Sequence, residues 1–143
     1  MNFHELPGIS PEILRAVEDM GFSQMTEIQE KAIPVMMSGR EIIAKAPTGT
    51  GKTCAFGIPL IQRADLKNSP WIQAVVLCPT RELCTQIVDE LRALAKYTSG
   101  LRVAAVYGGQ SMGPQIEALK KNPQIVVATP GRLLDHMKRR TIQ

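Results

Sequence analysis

The sequence is poor in aromatic residues: one Trp, two Tyr and three Phe among 143 residues, 4% in all. Any core it builds is aliphatic. With hydrophobic residues at 44%, the composition is that of a globular chain rather than a disordered one. Cysteine is also scarce. Cys54, Cys78 and Cys84 form no C-x-x-C pair and cannot all be bonded to one another, so they read as reduced, mostly buried thiols of a cytoplasmic protein. His4 and His136 lie far from them at no ligand spacing, which argues against a zinc site. No apolar run reaches the length of a bilayer span, and "MNFHELPGIS" has no basic segment leading into an apolar core. Neither a membrane segment nor a signal peptide is expected. Internal repeats and low-complexity tracts are absent, and the length is that of one domain.

The net charge of +4 is unevenly placed. Residues 1–40 carry six acids and three bases; residues 41–143 carry seven acids and fourteen bases, a net +7. A polyanionic partner suits that segment, and so does a plain solvated basic surface.

The first 40 residues read as two helices. "SPEILRAVEDMG" has Ser10 as N-cap, Pro11 at the first helical position, Gly21 just past the end, and Ile13, Leu14, Val17 and Met20 on one face. "TEIQEKAIPVMMSG" has Thr26 as N-cap, and Pro34 is expected to kink it or end its regular part. Strands and helices then alternate through residues 41–143. The expected strands are "EIIAKA" (41–46), "QAVVLCP" (73–79), "LRVAAVYGG" (101–109) and "QIVVATPG" (124–131). Between them come a helix from about Lys52 to Ile61, one carrying Leu83, Ile87, Leu91 and Leu94, a short one around Ile116–Lys121, and "RLLDHMKRR". Strands apolar on both faces and separated by helices imply an α/β fold with a parallel sheet covered by helices. In such sheets function gathers at the carboxyl ends of the strands. Those ends read APTGTGKT, PTREL, YGGQ and TPGR.

"APTGTGKT" matches G-x-x-x-x-G-K-[ST] except that its first position is Ala46. Thr48, Gly49, Thr50, Gly51, Lys52 and Thr53 lie between an expected strand and an expected helix, the context in which backbone N–H groups surround phosphate oxygens. Lys52 would reach the β- and γ-phosphates and Thr53 would offer its hydroxyl to Mg²⁺. Nucleoside triphosphate binding follows from these residues alone.

In motif order, nearly the whole chain resembles the N-terminal RecA-like domain of a DEAD-box ATP-dependent RNA helicase. "GFSQMTEIQ" (21–29) resembles that family's Q motif. The resemblance implies that Phe22 packs on adenine and that Gln29 hydrogen-bonds its edge, selecting ATP over GTP. Met25 stands where the family usually has proline. Thr26 and Gln29 also have capping-box spacing, so Gln29 has a second reading as a helix-start residue. Pro79, Thr80 and Arg81, Gly108 and Gly109, and Thr129, Pro130, Gly131 and Arg132 are similar to the family's RNA-contacting motifs. Physically, the threonines offer hydroxyls, the glycines close backbone approach, the arginines charge, and helix starts after residues 80 and 130 a partial positive charge. RNA bound there is held by its backbone, independently of sequence and with strong salt dependence. Arg81 has a second reading as an internal ion-pair partner, and Pro130 as a plain helix start.

No expected strand here ends in the carboxylates that an ATPase needs for Mg²⁺ and the attacking water. The resemblance implies that D-E-A-D follows shortly beyond Gln143, and that the S-A-T motif and a second RecA-like domain with its arginine finger lie further on. On this reading residues 1–40 carry the Q motif, residues 41–143 are part of a RecA-like domain, and the 143 residues alone lack turnover. "EIIAKA" would then be cut off from the other strands, and the expectation is that the chain pairs with a second copy, swaps elements or binds nucleotide poorly. The alternatives are another P-loop motor, such as a DNA helicase, or a non-catalytic nucleotide- or RNA-binding module.

Overall fold

The computed structural model describes residues 2–5, 8–21, 25, 27–37, 52–64, 66 and 72–141. The segment "EIIAKA" and the glycine-rich turn after it, as well as Phe22, lie outside them. The chain divides into two compact units, residues Met1–Arg63 with Ala93–Ser99, and Ala64–Arg92 with Gly100–Gln143.

Among its described residues the first unit holds a 3₁₀ turn, Phe3–Glu5, and the helices α1 (Pro11–Asp19), α2 (Glu27–Met37) and α3 (Lys52–Arg63). Ser10 caps α1 as expected: its Oγ accepts the Ile13 N–H at 3.3 Å, and Pro11 opens the helix where no N–H is needed. Gly21 follows the helix at φ +83°, a conformation that glycine adopts without strain. Helices α2 and α3 pack together, burying Ala32 and Ile33 from one and Ala55, Ile58 and Ile61 from the other. The segment 93–99 joins α1 through polar contacts. The Tyr97 hydroxyl donates to Asp19, Lys96 lies 3.4 Å from the same carboxylate, and Arg15 stacks over the Tyr97 ring at 4.1 Å.

The second unit contains β1 (Ala74–Leu77), α4 (Arg81–Leu94) as far as Arg92, β2 (Val103–Val106), α5 (Met112–Leu119), β3 (Ile125–Ala128) and α6 (Pro130–Lys138). Its three strands are parallel in the order β1-β3-β2. The central strand β3 is buried at every position, which is why Ile125–Ala128 is uninterruptedly apolar. Ala104, Val106, Leu119, Val126 and Ala128 form the core, with Ile72, Ala118 and Leu133 packed against them. Val75 and Leu77 of β1 remain 47% and 59% exposed.

Helix α2 runs through Pro34 to Met37, so of the two expectations for that proline its regular part does not end there. Pro34 is exposed, where water replaces the lost intrahelical bond at least cost. Helix α5 starts at Met112, earlier than expected. Its Gly113-Pro114 falls in the first turn, whose N–H groups have no helical partner, so the proline removes nothing. In α4, Leu83 is exposed and Cys84 takes the buried place in the first turn; Ile87, Leu91 and Leu94 are buried as expected.

Candidate nucleic-acid interface

The strand register brings three chain segments to one edge of the sheet. Leu77, Ala128 and Val106 are aligned partners, so each parallel strand ends at the same level. The ladder runs one step further: Cys78 N–H donates to the Ala128 carbonyl at 2.8 Å, and Thr129 N–H to the Val106 carbonyl at 2.9 Å. The segments leaving these ends, Pro79-Thr80-Arg81, Tyr107-Gly108-Gly109 and Thr129-Pro130-Gly131-Arg132, therefore form one row.

Two helices begin in that row. Helix α4 starts at Arg81, and Thr80 Oγ1 caps it by accepting the Leu83 N–H at 3.2 Å. The Thr80 hydroxyl proton remains to be donated. Helix α6 starts at Pro130, the helix-opening role open in the sequence. Its N-cap Thr129 makes no side-chain cap bond; its Oγ1 instead accepts the Gly108 N–H at 3.3 Å, tying the ends of β3 and β2 together. Apart from the capped Leu83 N–H, and Pro130, which has none, the first-turn N–H groups of both helices have no helical partner, and each helix start carries a partial positive charge. Pro79, Thr80, Arg81, Gly108, Gly109, Pro130 and Gly131 are all exposed.

The two arginines of the row differ. Arg81 is exposed, with its guanidinium 5.1 Å from the centre of the Tyr107 ring, a cation–π contact that holds it over the end of β2. Gly109, at φ +84°, lies directly below: a Cβ there would stand 3.4 Å from Arg81 Nη1. Arg132 is turned inward, with 15% of its side chain exposed. Its Nη1 donates to the Gln110 carbonyl at 2.9 Å and to Gln115 Oε1 at 3.4 Å, and its Nε lies 3.9 Å from Asp135. Arg132 thus braces the 107–110 turn from behind, while Arg81 faces solvent.

Cys78 and Cys84 flank the Pro79-Thr80-Arg81 segment as free, buried thiols. Burial, and then the neighbouring Cys78, push the Cys84 thiol up to about 12, and burial also raises Cys78, so both stay protonated and unreactive. Among the described residues no group of three His, Cys, Asp or Glu could hold a metal ion. No described helix is long and apolar enough to cross a membrane.

Gln29 is buried in the first turn of α2. Helix α3 begins at Lys52, so Lys52 and Thr53 occupy the turn whose N–H groups face whatever precedes it. Thr48, Gly49, Thr50 and Gly51 lie outside the described residues. The residues that sequence reasoning missed are Tyr107, Gln110, Gln115 and His136. No spacing in the sequence joins Gln115 to His136, which are 21 positions apart.

The DEAD/DEAH box helicase family model matches residues 26–143. The chain is 51% identical over 136 residues to the ATP-dependent RNA helicase CshA of Listeria monocytogenes, covering 95% of this chain and 26% of that protein. It is 50% identical over 141 residues to the DEAD-box ATP-dependent RNA helicase RhpA of Helicobacter pylori, covering 99% of this chain and 28% of the relative. The chain therefore spans about a quarter of the length of these relatives. Among solved structures, a DEAD box protein from the hyperthermophile Methanococcus jannaschii superposes with a TM-score of 0.91 at 46% identity, over 100% of this chain and 38% of that one. A hypothetical ATP-dependent RNA helicase from Sulfolobus tokodaii gives 0.82 at 40% identity, over 92% and 37%. With the parallel α/β sheet matching RecA-like helicase domains and the family's sequence pattern running through most of its length, the chain belongs to the DEAD/DEAH box helicases.

Proposed function

We propose that these residues are the N-terminal ATP- and RNA-binding part of an ATP-dependent RNA helicase that parts short RNA duplexes in the cytoplasm. The observation that supports this most is the common level of the three strand ends, which gathers two helix starts, two threonine hydroxyls, exposed glycine backbone and the Arg81 guanidinium into one row. Every group in that row suits a phosphate or ribose, and none reads a base edge. RNA is therefore held by its backbone through Pro79, Thr80, Arg81, Gly108, Gly109, Thr129, Pro130 and Gly131, and Arg132 acts by shaping the turn beside them.

ATP is the second ligand. Phe22 and Gln29 hold its adenine, and Thr48 to Thr53 hold its phosphates. The start of α3 at Lys52, directly after Gly49-Thr50-Gly51, fits a triphosphate at a helix N-terminus. Thr53 would be the chain's ligand to Mg²⁺, which neutralises phosphate charge when bound. Carboxylates for hydrolysis and a second RecA-like domain would come from elsewhere in the longer protein, so the 143 residues alone bind without turnover. Exposed Val75 and Leu77 on β1 support self-association of the isolated chain. Lys52→Ala separates this reading from a nucleotide-independent module. Titration with a fluorescent ATP analogue should lose binding in the variant while circular dichroism stays unchanged. Equal affinity in both chains refutes the Lys52 assignment.

A further inference from the structure

The buried polar groups of the second unit converge on the 107–110 turn. His136 is fully buried and Gln115 is 2% exposed. Gln115 Nε2 lies 2.8 Å from the Tyr107 carbonyl and 2.8 Å from Gln110 Oε1, so both of its amide protons are donated into the turn. Its Oε1 then faces two nitrogens, His136 Nε2 at 2.9 Å and Arg132 Nη1 at 3.4 Å. An acceptor opposite Nε2 requires the proton on Nε2, which leaves Nδ1 to accept the Thr141 hydroxyl proton at 2.6 Å, the shorter of that hydroxyl's two contacts, the other being the His136 carbonyl at 3.1 Å. The amide of Gln115 is thereby fixed in orientation from behind by a ring that solvent does not reach.

We infer that Gln115 and His136 are positioning residues of the RNA interface: the His136 Nε2 proton orients the Gln115 amide, and the amide holds the Tyr107–Gln110 turn in its phosphate-facing shape. Each link is needed. Without the Nε2 donor only the longer 3.4 Å contact from Arg132 Nη1 holds Oε1 in place, and a flipped amide would set oxygen against the Tyr107 carbonyl and break both bonds to the turn. The turn itself carries Gly108, whose N–H goes to Thr129, and Gly109, which underlies Arg81. One misoriented amide thus disturbs groups from all three strand ends. Burial alone does not explain the arrangement, since an apolar pair would fill the same volume without desolvating two polar groups.

The inference rests on the RNA-binding reading, and two measurements on the 143-residue chain separate them. The first needs no RNA. In ¹H–¹⁵N spectra, His136→Leu should shift the Gly108, Gly109 and Gln110 amide signals, and His136→Gln, which restores a donor near the Nε2 position, should return them toward wild type. Gln115→Glu, which keeps the acceptor and loses both donors, should move the same signals and serves where the leucine variant does not fold. Unmoved Gly108 and Gly109 signals in a folded variant overturn the inference, as does a failure of His136→Gln to restore them. The second measurement is fluorescence anisotropy with an oligouridylate about ten nucleotides long. Loss of the amide's orientation should weaken binding about five- to tenfold in His136→Leu and Gln115→Glu, with recovery in His136→Gln. Wild-type affinity in all variants overturns the positioning role. Absence of binding by the wild-type chain instead refutes the RNA reading, and the spectra still decide what holds the turn.

Discussion

Gly108 and Gly109 are adjacent and equally exposed, yet the structure predicts different consequences for the same substitution. Gly109 has φ +84°, in the left-handed region that costs an L-residue about 1–2 kcal/mol. Gly109→Ala also restricts the unfolded chain, which returns about 0.4–1 kcal/mol. The added Cβ meets only Arg81 Nη1 at 3.4 Å, the tip of a flexible side chain that can move away. The net expectation is a loss of about 1 kcal/mol, or about 4 °C in melting temperature for a chain of this size. Gly108 has no positive φ, and a Cβ there meets nothing within 4 Å, so Gly108→Ala should stay within about 0.5 kcal/mol of wild type. RNA binding should respond differently again. On the proposed RNA reading a methyl group at either position would stand between phosphate and backbone, so both variants should weaken RNA, and Gly109→Ala should also displace Arg81. Urea denaturation and RNA anisotropy on the two variants test this directly. Equal stability losses would refute the conformational argument; wild-type RNA affinity in Gly108→Ala would refute the close-approach argument.

Further expectations concern single groups. Gln29→Ala should weaken adenine nucleotides far more than it lowers the melting temperature; a loss mainly of stability means that the buried amide serves only its own helix. Tyr107→Leu should loosen Arg81 and weaken RNA by a few-fold, whereas Tyr107→Phe, which keeps the ring face, should not; equal losses in isothermal titration would remove the cation–π contact from the account. His136 is held below its ordinary value of 6.5 by burial first, then by the charges of Arg132 and Arg139, with Asp135 opposing. Below pH 6.5 the unfolded chain takes up the proton and the folded chain resists it, so stability is full above that pH and is lost as pH falls through the folded value. Melting curves between pH 7 and 5 should show this slope in wild type and a flatter one in His136→Gln; identical slopes would place the titration elsewhere.

Much of this molecule was legible before its structure. Apolar runs bounded by turn residues located all three described strands, because a strand buried on both faces leaves a continuous signal in sequence. Ser10 and Pro11 marked a helix start because capping is local chemistry. The errors came where local rules meet a neighbour or a position effect. The short helix expected around Ile116–Lys121 starts already at Met112, since Pro114 in a first turn removes no bond. Leu83 fits the helical period but is 37% exposed, while Cys84 is buried, as expected of these thiols. In the row of strand ends, residue types fit phosphate chemistry but do not show a division of labour. Arg81 and Arg132 look alike in sequence; only the fold turns one toward solvent and the other onto the Gln110 carbonyl. Gln115 and His136 were illegible because their meeting depends on α5 and α6 packing beside one turn, and nothing in either segment encodes that encounter.

The central claim is that the row of strand ends binds RNA through its backbone. It is tested most directly by measuring the affinity of the chain for oligouridylate and oligoadenylate across a range of salt concentrations, with and without Arg81→Ala. The account predicts similar affinities for the two sequences, a steep linear fall of log K with log salt, and a slope reduced by about 0.7 when Arg81 is removed. Salt-insensitive binding, strong preference for one sequence, or an unchanged slope in Arg81→Ala would contradict it.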